Sequence, residues 1–160
     1  MANDSAMRDV LARSLGWSDA HVSFDDAVRG LPAHLRGARA AGLPHSAWEL
    51  VEHIRIAQRD ILDFCVAGEY GEMEWPSGYW PSSPEPPSPE AWERSIAAVR
   101  EDRERLQRLA RDPAIDLTAV TPHATDQTYL REILLVADHT AYHVGQIVLV
   151  RQLLGVWPAA

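Results

Sequence analysis

Seven histidines stand in this 160-residue chain, and two of them, His139 and His143, are four residues apart in the segment ADHTAYHVGQIV. On a helix that spacing puts both side chains one turn apart on the same face, close enough to share one ion. Neutral imidazole is the commonest nitrogen ligand of zinc and related metals, which makes the pair a candidate half-site. The setting strengthens the reading, because both rings interrupt an otherwise apolar run, where an unsatisfied polar group costs about 1–3 kcal/mol. A third histidine, His53, lies between Leu50 and Ala57 on the inner stripe of another expected helix and can project toward the pair across a bundle core. Three neutral nitrogens would then face one point. The alternative for each ring is burial with a carbonyl or carboxylate as its partner.

The surroundings limit what such a site could be. No glutamate follows His139 directly, so the HExxH arrangement of a zinc peptidase is absent. Neither histidine helix carries the Glu-x-x-His pair of di-iron bundles, which points to one ion rather than two. Around the three histidines, Glu49, Asp60 and Asp138 could orient the rings or take protons, and Asp60 and Asp138 are the candidate catalytic proton acceptors. Glu49 reads rather as part of a helix cap, because of its capping-box spacing from Ser46. Gln146, three residues after His143, either faces the same cavity or bonds a neighbouring backbone group. Cys65 lies about 18 Å along the helix from His53, too far to be a ligand, and reads as core. His21, His34 and His45 fall in or near connections and read as surface or capping residues, while His123 fits either role.

The elements that must position these residues are helical, because apolar positions recur at helical spacing in every long segment and no alternating β-branched run is found. A first helix is expected over about Asp4 to Leu15, with Met7, Val10, Leu11 and Leu15 as its inner stripe, then a short piece near Phe24 to Gly30. Leu31 to His45 reads as a connection. Ser46 and Glu49 have capping-box spacing and open a second helix, with Leu50, Ile54, Ala57, Ile61 and Cys65 inward and Gly68 as its stop. Residues 68–89 hold six of the eleven prolines together with Tyr70, Trp75, Tyr79 and Trp80, and cannot be regular structure. That segment is a lid, a strap packed on the bundle, or a dimer contact. If it folds over the metal it supplies an apolar wall, and trimming it should alter substrate affinity while sparing metal binding. Ser88 and Pro89 open a third helix with Trp92, Ile96, Val99, Leu106 and Leu109 as its buried row and a charged, solvated opposite face. After Pro113 and His123, a cap at Asp126 or Thr128 starts the last helix, from Tyr129 to Leu154, apolar on nearly all sides and therefore expected at the centre. The fold class is all-α, a four-helix bundle forming one domain over residues 1–160.

Composition closes several function classes. All 15 basic residues are arginine, so mechanisms that need a lysine amine, such as a P-loop lysine or a pyridoxal Schiff base, are excluded. A net charge of −8 leaves no surface for nucleic acid. The single cysteine, Cys65, excludes an intrachain disulfide, a CxxC redox pair and a cysteine-rich zinc site, and fits a reducing compartment. The amino-terminal segment carries acids and does not read as a signal peptide, and no window of eighteen apolar residues exists. The expected location is the cytoplasm, with no membrane partner.

The segments PHSAWELVEHIRIAQRDILDF and LLVADHTAYHVGQIVLVRQLLGVWP, with the GYWP of the proline-rich connection between them, resemble the DinB-like, or DinB/YfiT, superfamily of metal-binding four-helix bundles. The resemblance runs from about His21 to Pro158. It implies an up-down-down-up helix order, a homodimer, and one divalent ion, zinc or nickel, held by His53, His139 and His143 with water completing the site. Members with known reactions use low-molecular-weight thiols, in bacillithiol S-transfer and mycothiol-dependent maleylpyruvate isomerisation. The resemblance therefore implies a small-molecule substrate, possible thiol transfer or hydrolysis, or a non-catalytic metal-bearing dimer that binds or senses a small ligand.

Overall fold

The computed structural model describes residues 2–158; Met1, Ala159 and Ala160, the ends of the expected 1–160 domain, lie outside the described residues. It is all-helical, with α1 at Ala2–Ser14, α2 at Phe24–Val28, α3 at Ala47–Val66, α4 at Pro89–Arg111 and α5 at Tyr129–Leu153. The described residues form no strand, only an isolated bridge between Val120 and Thr128.

The local signals act as the side-chain chemistry requires. Ser46 and Glu49 form a reciprocal capping box at the start of α3: the Glu49 N–H donates to Ser46 Oγ at 3.2 Å and the Ser46 N–H to Glu49 Oε2 at 2.7 Å. Ser88 caps α4 ahead of Pro89, and Thr128 caps α5. His123 closes the other end of α3, its Nε2 donating to the Ala67 carbonyl at 2.8 Å.

α3 packs on α4 and α5, α1 on α4 and more lightly on α5, and α2 on α5, which leaves α1 and α3 diagonal to one another. Polar contacts fix the directions. Glu52 meets Ser95, Gln58 meets Val99 and Arg59 meets Asp102, so α3 and α4 run side by side in the same sense. A parallel pair needs a long crossover, and residues 67–88 provide it. Two apolar clusters fill the bundle: one joins Phe24, Leu50, Ile54, Trp92 and Ile147, the other Leu11, Leu15, Leu62, Leu106 and Ile133.

Four expectations need correction. In α1, Met7 and Val10 are exposed, and the buried row is Arg8, Leu11, Ala12 and Leu15. Arg8 is drawn inward because its guanidinium donates to the carbonyls of Ala110, Asp112 and Ile115 at the end of α4. In α3, Leu62 is buried in place of Ile61, which is only partly covered. The charged face of α4 is not simply solvated: Asp102 is fully buried against Arg59, Arg100 and Arg103 both bind Asp25, and Arg111 binds Asp9. α5 is not enclosed, since Leu134, Tyr142, Leu149 and Leu153 face outward. Its length and composition alone would suffice to cross a bilayer, yet here it lines the core with Ile133, Val136, Val144, Ile147 and Val150.

Residues 68–88 form a strap across α3, with one 3-10 turn at Ser77–Tyr79. Ser46 Oγ donates to the Pro84 carbonyl at 2.6 Å. Gly37 lets the strap pass close, because a Cβ there would lie 2.9 Å from Glu85 Cα.

Candidate metal centre

His53 reaches the site because it shares the inward face of α3 with Leu50, Ile54 and Ala57, and it is buried at 5% exposure. His139 and His143 arrive from α5 one turn apart, His143 at 6% exposure and His139 half-buried. Together these three offer nitrogen atoms that all lie within 4.8 Å of one another. His139 Nε2 and His53 Nε2 are 3.0 Å apart, and the His143 ring stands edge-on to both other rings at 4.5 Å.

The second nitrogen of each ring decides what the first can do. His53 Nδ1 lies 2.8 Å from the Tyr79 carbonyl, and because a carbonyl only accepts, the proton sits on Nδ1. In the neutral ring Nε2 is then a bare lone pair. His143 Nδ1 likewise donates to Gln146 Oε1 at 2.7 Å, which leaves its Nε2 bare. Two lone pairs thus converge on a third imidazole with too few protons to satisfy all of them. A cation fits this donor set, and ring nitrogens held from behind by a carbonyl or amide are the usual support of metal-bound histidine.

Electrostatics keep the rings neutral. Burial, reinforced by His143 and His53, pushes His139 down to about 4. Burial also takes His143 down to about 4, against the opposing bond to Gln146. His53 is lowered by burial, partly offset by its bond to the Tyr79 carbonyl. At neutral pH all three are in the form that can bind a metal.

The walls come from the strap, from the residue two before α3 and from α5. Trp80 stacks on His53 with centroids 3.9 Å apart and planes 1° from parallel, and His45 stacks on the far face of Trp80 at 4.0 Å. Tyr142 stands edge-on to His143 at 4.9 Å. His45, read from sequence as a surface or capping residue, thus belongs to the wall of the site. The sequence leaves the segment that carries Tyr79 and Trp80 between lid, strap and dimer contact, and nothing in it places His45 there, since irregular segments have no period to read. Because the strap touches His53 directly, trimming it should disturb the three-histidine cluster as well as any substrate.

The candidate carboxylates do not gather at the histidines. Asp60 accepts hydrogen bonds from Tyr70 and Tyr79. Asp138 is exposed and lines a separate cavity of about 270 Å³ with Trp17, His21 and Phe24. Glu49 is spent on the cap of α3 and on Arg39. Gln146, which the sequence leaves between two roles, bonds a site histidine. Cys65 is buried, and burial, with Glu132 nearby, pushes its thiol up to about 12.

Comparisons with the curated proteins and with the solved structures give no match. Compared with known families, residues 17–147 match the DinB superfamily, a span that contains α2 to α4 and all three site histidines. The chain is therefore a member of the DinB superfamily.

Proposed function

We propose that the protein holds one divalent metal ion, zinc or nickel, on His53, His139 and His143, and uses it as an enzyme acting on a small molecule. The observation that carries this reading is the locked orientation of His53 and His143, whose Nδ1 protons are committed to Tyr79 and Gln146 so that both Nε2 atoms face the centre. An ion bound by three neutral imidazoles keeps its full charge and makes a coordinated water or thiol acidic near neutral pH. Cysteine and lysine offer no nucleophile here, with Cys65 buried and lysine absent, which supports thiol transfer or hydrolysis with an exogenous nucleophile. Trp80 and Tyr142 give the site aromatic walls against His53 and His143. A cytoplasmic homodimer completes the proposal. The reducing chemistry implied by a lone thiol supports the location, and the exposed Leu134, Tyr142, Leu149 and Leu153 on α5 support a second copy as partner.

One observation favours a second reading, a metal-bearing bundle that binds or senses a small ligand without turning it over. Asp60 is occupied by two phenols and Asp138 faces elsewhere, so neither proposed proton acceptor stands free beside the histidines. Elemental analysis of untagged protein, wild type beside His143→Ala, tests the shared premise. About one equivalent of zinc or nickel is expected in the wild type and little in the variant. A metal-free, folded wild type that takes up neither ion would refute both readings. Titrating low-molecular-weight thiols into the Co²⁺-loaded protein then separates a closed four-ligand site, with an unchanged spectrum, from an open one that develops a thiolate band.

A further inference from the structure

Asp60 stands seven residues after His53 on α3, about 10 Å further along the axis, too far to touch the ring. Both of its carboxylate oxygens are nevertheless engaged. Tyr70 Oη donates to Oδ1 at 2.9 Å and Tyr79 Oη donates to Oδ2 at 2.8 Å. Burial and then the carboxylate itself push the Tyr79 hydroxyl up to about 12 and raise Tyr70 also, so both phenols stay donors at any working pH.

Tyr79 is also the residue whose carbonyl takes the His53 Nδ1 proton, and the next residue, Trp80, covers the His53 ring face. The strap is therefore fastened to α3 at two levels, by side chains at Asp60 and by main chain and indole at His53. We propose that Asp60 is a positioning residue for the metal centre: by clasping two tyrosine hydroxyls it holds the Tyr79 carbonyl and the Trp80 indole against His53. The proposal rests on reading the three histidines as a metal site. Without the clasp the Nδ1 proton loses its fixed acceptor, the ring samples the other tautomer, and a proton on Nε2 blocks that lone pair. Loss of such a supporting contact typically weakens metal binding ten- to a hundredfold. A carboxylate that only fastened a surface strap would change stability and leave ligand chemistry alone.

The test compares wild type, Asp60→Ala, Asp60→Asn and Tyr79→Phe by competition titration of Zn²⁺ against a chromophoric chelator. It adds the visible spectrum of the Co²⁺ form and ¹⁵N-edited imidazole NMR of the metal-free chain. Asp60→Ala should weaken zinc at least tenfold and alter the Co²⁺ bands, with Asp60→Asn partly restoring both because its amide still offers one acceptor and one donor to the phenols. Wild-type affinity and an unchanged Co²⁺ spectrum in Asp60→Ala would overturn the proposal. Should the wild type bind no metal, the metal reading fails on its own and the NMR decides the clasp. A His53 shifted from Nδ1–H toward mixed tautomers in Asp60→Ala supports it, and an unshifted His53 overturns it. If Asp60→Ala does not fold, Asp60→Asn and Tyr79→Phe carry the same comparison.

Discussion

A carbonyl oxygen cannot donate, and that fact at Tyr79 sets the tautomer of His53 and the direction of its free lone pair. Gln146 does the same for His143. Gln146→Leu removes this acceptor while keeping similar volume, and is expected to lower Zn²⁺ affinity ten- to a hundredfold with helix content unchanged; equal affinities in competition titrations would remove Gln146 from the site. Buried imidazoles also couple the site to pH. His139 and His143 stay neutral in the fold down to about 4, whereas in an unfolded chain they titrate near 6.5. Between those values the unfolded state binds more protons, so stability rises with pH across the window and is lost as pH falls from about 6.5 toward 4. Each such histidine adds a slope of up to about 1.4 kcal/mol per pH unit. Urea unfolding of chelator-treated protein at several pH values should show this slope, reduced in His143→Gln; a flat wild-type profile would contradict it. The three histidines are legible in the sequence because helical spacing and an apolar background single them out. Tyr79 and Trp80 are legible only as part of a segment that could be lid, strap or dimer contact, and His45 not at all, because contacts made by an irregular segment leave no periodic trace.

At the scale of elements, α3 brings His53 to the site and meets the strap at its own cap, so its start is worth breaking on purpose. Ser46 satisfies the Glu49 N–H and also donates to the Pro84 carbonyl, joining the helix cap to the strap. Ser46→Ala is expected to cost about 1–2 kcal/mol, or on the order of 2–4 °C in Tm for each kcal/mol. Thermal unfolding checks it, and an unchanged Tm would mean the cap is dispensable. The cap was legible because its chemistry is local, confined to Ser46 and Glu49. The inner face of α1 was not: Met7 and Val10 suit a buried stripe as well as Leu11 does, and what decides the rotation is Arg8, held by carbonyls about a hundred residues away at the end of α4. Asp102 likewise looks like a surface charge until Arg59 of the neighbouring helix is placed beside it. Such long-range electrostatics override local amphipathicity.

Over the whole molecule, the two α5 histidines occupy the level where two apolar clusters meet, while His53 lies beside the first of them. On α5, Ile133 and Val136 belong to one cluster and Val144, Ile147 and Val150 to the other, with His139 and His143 at the boundary. On α3, His53 lies between Ile54 with Leu50 of the first cluster and the strap that covers its outer side. The polar layer interrupts apolar packing between the two clusters on α5. A bound ion would join α3 to α5 across that layer and stabilise the folded state by mass action. Free Zn²⁺ at a hundred times its dissociation constant should add about 2.7 kcal/mol, seen as a rise in Tm that a chelator reverses. His143→Ala should lose that rise, and its metal-free Tm should also fall because the change removes a buried ring and its bond to Gln146. A wild type whose Tm is indifferent to Zn²⁺, Ni²⁺ and chelator alike would show that the three rings are satisfied by one another and by the strap, with no ion linking the helices.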